Sequence, residues 1–103
     1  MRLPLIAATL ALLATPAYAD SIDGAWCKEG ARLVIQGPNI TTPGGARIQG
    51  QYGRHDFSYV APAGEQAAGT RIELRLLGEY AMQSRSGPDG RIEDWRRCGP
   101  ETS

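Results

Sequence analysis

The sequence predicts a small all-β domain: an antiparallel β-barrel, or barrel-like meander, of about 6–8 short strands pinned by one disulfide. Three observations predict it. Glycine- and proline-marked turns recur along the body of the chain, as at Gly37-Pro38, Pro43-Gly44-Gly45 and Gly87-Pro88-Asp89-Gly90. The runs between them alternate with period two rather than with the helical period. Two cysteines, Cys27 and Cys98, sit near the two ends of that body.

The first 19 residues read as a secretory signal. Arg2 gives the positive end, Leu3 to Ala14 is apolar apart from Pro4 and Thr9, and Ala17-Tyr18-Ala19 is a small-x-small cleavage site. Cleavage after Ala19 leaves Asp20–Ser103, 84 residues, enough for a single domain. A chain this small buries a limited share of its surface and benefits from a staple. Export permits oxidation, and Cys27 has one available partner, Cys98. The expected compartment is the periplasm or the exterior. The later residues hold no second apolar run long enough to span a membrane. Without the signal the chain carries ten basic residues (Lys28 and nine Arg) against eleven acidic ones, so charge gives no support to a nucleic-acid partner.

The elements follow in order. Ser21 to Gly24 leads into a first strand through Trp26 and Cys27, and Lys28-Glu29-Gly30 turns. Ala31 to Gln36 alternates, with Leu33 and Ile35 on one face. Asn39 to Thr42 is a short third strand with Ile40 inward. Ala46 to Tyr52 places Ile48, Gly50 and Tyr52 on one face, and Gly50 marks a bend where a missing side chain lets a sheet curl. His55 to Val60 puts His55, Phe57 and Tyr59 together. Ala61 to Gly69 is a small-residue loop and the best candidate for a mobile segment. Thr70 to Leu77 is the clearest strand, with Ile72, Leu74 and Leu76 opposite Arg71, Glu73 and Arg75. Glu79 to Arg85 returns with Tyr80 and Met82 inward.

The closing strand, Arg91 to Cys98, has no cleanly apolar face. Neighbouring residues on a strand point opposite ways. If Trp26 is inside, Cys27 faces the seam, Cys98 must match it, and alternation turns Trp95 and Arg97 inward. An inward arginine needs a carboxylate or an aromatic ring for its head, or must snorkel at the barrel end.

Gly24-Ala25-Trp26, then Gly30, an apolar run and Ile48-Gln49-Gly50-Gln51-Tyr52 resemble the opening of calycin-type barrels, the superfamily of the lipocalins and avidins. The resemblance covers about 30 residues and implies a shape only. It implies that the tryptophan of the G-x-W stretch closes the barrel floor. It also implies that a basic residue of the last strand, Arg97 or Arg96, packs over it. The cysteine pair is not part of that pattern.

No constellation for catalysis emerges. His55 and Asp56 are adjacent and point apart on a strand, so the carboxylate does not orient the imidazole for Ser58. Glu93 and Asp94 are consecutive and also face apart, unlike a glycosidase pair. One histidine, even beside Met82, makes a thin metal site. No cofactor motif is present. Asn39-Ile40-Thr41 matches a glycosylation acceptor.

The sequence therefore points to a non-enzymatic secreted or periplasmic protein that binds another macromolecule through its surface, as an inhibitor or envelope accessory protein would. The alternative is a small-molecule carrier with an aromatic-lined barrel interior. A barrel of seven or fewer strands favours a filled interior and the first reading. The candidate ligand or interface residues are Trp26, Tyr52, Arg54, His55, Phe57, Tyr59, Trp95 and Arg97.

Overall fold

A computed structural model describes residues 21–99. The signal segment and its cleavage point lie outside them. Nine strand segments alternate with tight turns: β1 (Gly24–Lys28), β2 (Ala31–Gln36), β3 (Asn39–Thr41), β4 (Arg47–Gln49), β5 (Gln51–Tyr52), β6 (Asp56–Val60), β7 (Arg71–Gly78), β8 (Ala81–Ser86) and β9 (Ile92–Arg97). All pairings are antiparallel. The strand order is β4-β3-β2-β1-β9-β8-β7-β6-β5. Among the described residues no helix is long and apolar enough to cross a membrane.

That order closes on itself. Its two ends, β4 and β5, are separated in the chain by Gly50 alone. The stretch from Arg47 to Tyr52 pairs with β3 through its first half and with β6 through its second. The nine segments thus make eight rungs of a nearly closed barrel. Gly50 is where the shared rung changes partner. Its N–H donates to Pro38 O at 2.9 Å. A Cβ there would lie 2.3 Å from the Ser58 carbonyl oxygen and 2.6 Å from Phe57 Cε1, so β6 approaches as closely as it does only because the side chain is missing.

The other closure is the β1–β9 seam. Trp26 lies opposite Arg97 and Cys27 opposite Arg96. Cys27 and Cys98 are bonded with a Cα–Cα distance of 5.1 Å, so the staple sits at that seam. Register carries the period-two pattern inward. Ile35 faces Ile40, Phe57 faces Leu74, Tyr59 faces Ile72 and Met82 faces Trp95. All eight are buried in one core with Trp26, Leu33 and Ile22.

Two local expectations change. Tyr80 is not inward: it sits in the two-residue turn between β7 and β8 and is 69% exposed, while Met82 alone is buried. The tight turn claims Glu79 and Tyr80 before the strand resumes. His55 precedes β6 on an exposed bend instead of sharing the Phe57 and Tyr59 face. The loop from 61 to 70 is a series of turns knit by its own backbone, with Ala61 N–H on Thr70 O at 2.9 Å and Gly69 N–H on Ala61 O at 2.8 Å. At one end the barrel opens into a hollow beneath the loop from 61 to 70.

Two substitutions test these closures. Gly50→Ala forces a methyl group against a main-chain oxygen, and the expected loss is about 1–3 kcal/mol of stability, read as a lower urea midpoint. Reducing the disulfide, or replacing both cysteines by serine, frees a loop of 71 residues' separation. The expected cost is about 4 kcal/mol by the chain-entropy relation, measured by the same denaturation.

Candidate functional site

The two ends of the barrel are built differently. One is sealed. Residues 21–23 cross beneath the strands, with Ser21 and Ile22 buried. Trp26 Nε1 donates to Ile22 O at 2.9 Å, and Ile22 N–H donates to Arg54 O at 2.7 Å. Arg97 lies over the Trp26 ring, 4.1 Å from its centroid. Its guanidinium donates to Ser21 O at 2.6 Å, to Glu79 O at 2.7 Å and to Asp23 O. The inward arginine thus meets an aromatic face and main-chain carbonyls. Gly24 makes room for it: its φ is +119°, and a Cβ would come within 2.7 Å of Arg97 Nη1.

Asp23 ties this floor to the wall. Its carboxylate accepts from Gly37 N–H at 2.7 Å, from Ser21 Oγ at 3.0 Å and from the Tyr52 hydroxyl. Burial alone would raise its pKa, but the hydrogen bonds from Gly37, Tyr52 and Ser21 outweigh burial and hold the carboxyl below its usual 3.8.

The opposite end is open. A cavity of about 480 Å³ enters the barrel there. Its apolar wall comes from Leu33, Ile72, Leu74 and the Trp95 ring, and Tyr59 and Ser84 add hydroxyls. These are inward positions of β2, β6, β7, β8 and β9, selected by strand alternation. At the rim, Lys28 Nζ is 2.6 Å from Glu93 Oε1 and 5.1 Å from the Trp95 centroid. Arg91 Nη1 is 3.6 Å from the other oxygen of Glu93. The loop from 61 to 70 overhangs the opening with Gly64, Glu65, Gln66 and Ala67. Ala67 holds a φ of 64°, uncommon for a residue with a side chain. Glu65 accepts a hydrogen bond from the Thr42 hydroxyl, which joins the loop to the β3–β4 turn across the barrel mouth.

Two polar groups in this cavity stand out. Tyr59 is 7% exposed, and its hydroxyl has no hydrogen-bond partner among the described residues. Burial, and then the charge of Glu65, push its pKa up to about 12, so the phenol stays protonated. Ser84 is 6% exposed, and its Oγ accepts from Trp95 Nε1 at 3.0 Å.

Of the residues singled out in the sequence, Tyr59 and Trp95 meet in the cavity. Trp26 and Arg97 form the floor, and Tyr52 and Arg54 join it through Asp23 and Ile22. His55 is exposed at that same end, where its carbonyl accepts from Leu76 N–H at 2.8 Å. Phe57 lies in the core between, with its ring centroid 6.5 Å from that of Tyr52 and 6.4 Å from that of Tyr59. Lys28, Glu93, Ser84 and Glu65 were not among the candidates. Lys28 and Glu93 were within reach of the pattern, since each is two residues from an inward tryptophan. Glu65 carried no signal, because a loop has no period.

A second hollow, about 520 Å³, crosses the outer face of β5 to β9. Arg71, Arg75, Arg85, Glu73, Gln83 and Ile92 border it. Arg71 is already engaged there by Gln51 and Ser58, each at 3.0 Å, and by Glu73 at 3.4 Å. Although slightly larger, it is walled by exposed side chains that water can satisfy.

No family model matches the chain, and no curated protein and no solved structure matches it.

The Asp23 geometry makes the floor sensitive to acid. A carboxyl whose pKa is lowered by folding contributes stability that is present above its unfolded value. That contribution is lost as pH falls through the lower folded value. The wild-type denaturation midpoint should therefore fall below about pH 4. Asp23→Asn should be less stable at pH 7 and show a flatter acid limb, as measured by urea denaturation at stepped pH.

Proposed function

We propose that this chain is a secreted or periplasmic small-molecule carrier whose ligand enters the open end of the barrel. One observation carries the reading: a hollow of about 480 Å³, lined by apolar and polar residues together, at which a buried tyrosine hydroxyl stands without a partner among the described residues. Pockets of this size, mostly apolar with a few placed polar groups, take small organic ligands. A buried hydroxyl left unsatisfied costs about 1–3 kcal/mol, and a ligand atom that pairs with it removes that cost. The Trp26–Arg97 stack matches what the calycin resemblance implies and supports a shared shape, with the floor sealed and the binding end opposite.

Docking of a macromolecule on the barrel's outer face is the second reading. The groove bordered by Arg75 and Arg85 favours it, since arginine is frequent at protein contacts. The interior is preferred because its polar groups are withdrawn from water and the groove's are not.

Native mass spectrometry of the full chain, purified without denaturant from its own compartment, tests the carrier reading. The expected result is an added mass of a few hundred daltons that is lost on unfolding. Ala31→Trp, which narrows the mouth from β2, should abolish the adduct and leave the denaturation midpoint within about 1 kcal/mol of wild type. An adduct that survives Ala31→Trp, or a bare protein that instead retains an envelope component on capture, would overturn the carrier reading.

A further inference from the structure

The apolar residues at the open end are nearly closed to solvent. Leu33 and Leu74 are 1% exposed, Trp95 is 3%, and Tyr59 and Ile72 are 7%. A ligand gains contact with them only if part of the mouth moves. The part that overhangs the mouth is the loop from 61 to 70, which also packs Ala67 against the core. Its bonds fall into three groups. At its base, Ala61, Gly69 and Thr70 bond to one another. Within it, Glu65 N–H donates to Pro62 O at 3.2 Å, Ala68 N–H to Glu65 O at 3.1 Å and Thr70 N–H to Ala67 O at 2.9 Å, so the loop holds together as one body. Among the described residues, a single hydrogen bond leaves that body for the rest of the mouth: the Thr42 hydroxyl donates to the Glu65 carboxylate.

That bond has a built seat. Thr42 is 1% exposed, and its hydroxyl oxygen accepts from Ala46 N–H at 3.1 Å, which orients the hydroxyl. Gly44 leaves the space: a Cβ there would lie 2.7 Å from Glu65 Cγ and closer still to the carboxyl group. Ala67 keeps its φ of 64°, a conformation that a residue with a side chain holds only when its surroundings compel it. The loop is therefore kept in place by its contacts more than by its own preference.

We infer that the loop from 61 to 70 is a lid, latched by the Glu65 carboxylate in the notch between Thr42 and Gly44, and that its lifting opens the hollow to a ligand. This rests on the carrier reading and supplies its gate. The base bonds among Ala61, Gly69 and Thr70 stay made while the tip swings away. What is lost is one charge-assisted hydrogen bond and the packing of Ala67. So few contacts let a segment open locally while the strands beneath stay paired.

Gly44→Ala isolates the latch. The added methyl group meets only the far end of the Glu65 side chain, and Gly44 lies outside the left-handed region, so the carboxylate is expelled and the backbone is kept. Glu65→Ala removes the same bond from the other side. Hydrogen exchange of amides 63–69, read by mass spectrometry on the full chain with no ligand added, should speed up about five- to tenfold in both variants, with β7 and β8 unchanged. Hydroxyl-radical oxidation of Tyr59 should rise with it, measured against Tyr52 and Tyr80, which are exposed in either state. Unchanged loop exchange in both variants would overturn the lid. An equal rise in β7 and β8 would do the same, because Glu65 would then brace the whole barrel. Faster exchange with Tyr59 still protected would overturn the gate. No ligand enters these measurements, so the carrier reading stands or falls separately, on the mass adduct.

Discussion

The stack of Arg97 on Trp26 sets the parity of the two strands that meet at the seam. Side chains alternate along a strand, so a tryptophan locked inward at position 26 sends Cys27 outward and Lys28 inward. On β9 the same rule, counted back from Arg97, turns Trp95 and Glu93 inward. The disulfide can then form only on the outer side of the seam, where Cys27 and Cys98 meet. The ion pair between Lys28 and Glu93 can form only inside, at the far rim. A contact at the sealed end therefore decides what chemistry lines the open one. A register slip of one residue in β9 would exchange Trp95 for Asp94 in the core, which the burial cost of a carboxylate forbids.

Width is decided elsewhere, at Gly50. The chain from Arg47 to Tyr52 serves two neighbours in succession, and the glycine lets β6 come close where the change occurs. A straight strand would keep one neighbour and leave the other with an exposed edge. The bend supplies an eighth rung at little cost in residues, which is how a chain this short reaches a ring wide enough for a cavity. The cavity is confined to one half because Trp26, Phe57 and Met82 fill the other.

Much of the architecture was legible in the sequence, and the reasons are physical. Thr70 to Leu77 alternates between aliphatic and charged residues, so its faces were plain, and Ile72 and Leu74 are buried as that pattern required. Two cysteines at the ends of the domain left one pairing. Gly50 announced a bend because strands lose packing at a glycine. The floor was legible through parity, which turns Trp26 and Arg97 to the same side of the seam. The cavity was not, because hollowness is a property of the closed ring and depends on how many rungs share its circumference. The Tyr59 position was readable, but its unpaired hydroxyl was not, since period two says which face a side chain takes and not what its polar end meets. Tyr80 was misplaced because period two does not say where a turn takes its residues.

The position of the staple has a mechanical consequence. The bond joins residues 71 apart in sequence, yet they lie 5.1 Å apart at their Cα atoms on one side of the barrel. A pull on the chain before Cys27 and after Cys98 is carried by that single covalent link. The eight rungs between them bear no load. Tension would instead peel at the short crossing from Ser21 to Trp26, where hydrogen bonds donated by Arg97 and accepted by the Asp23 carboxylate hold the floor. The open end is the part most shielded from such force.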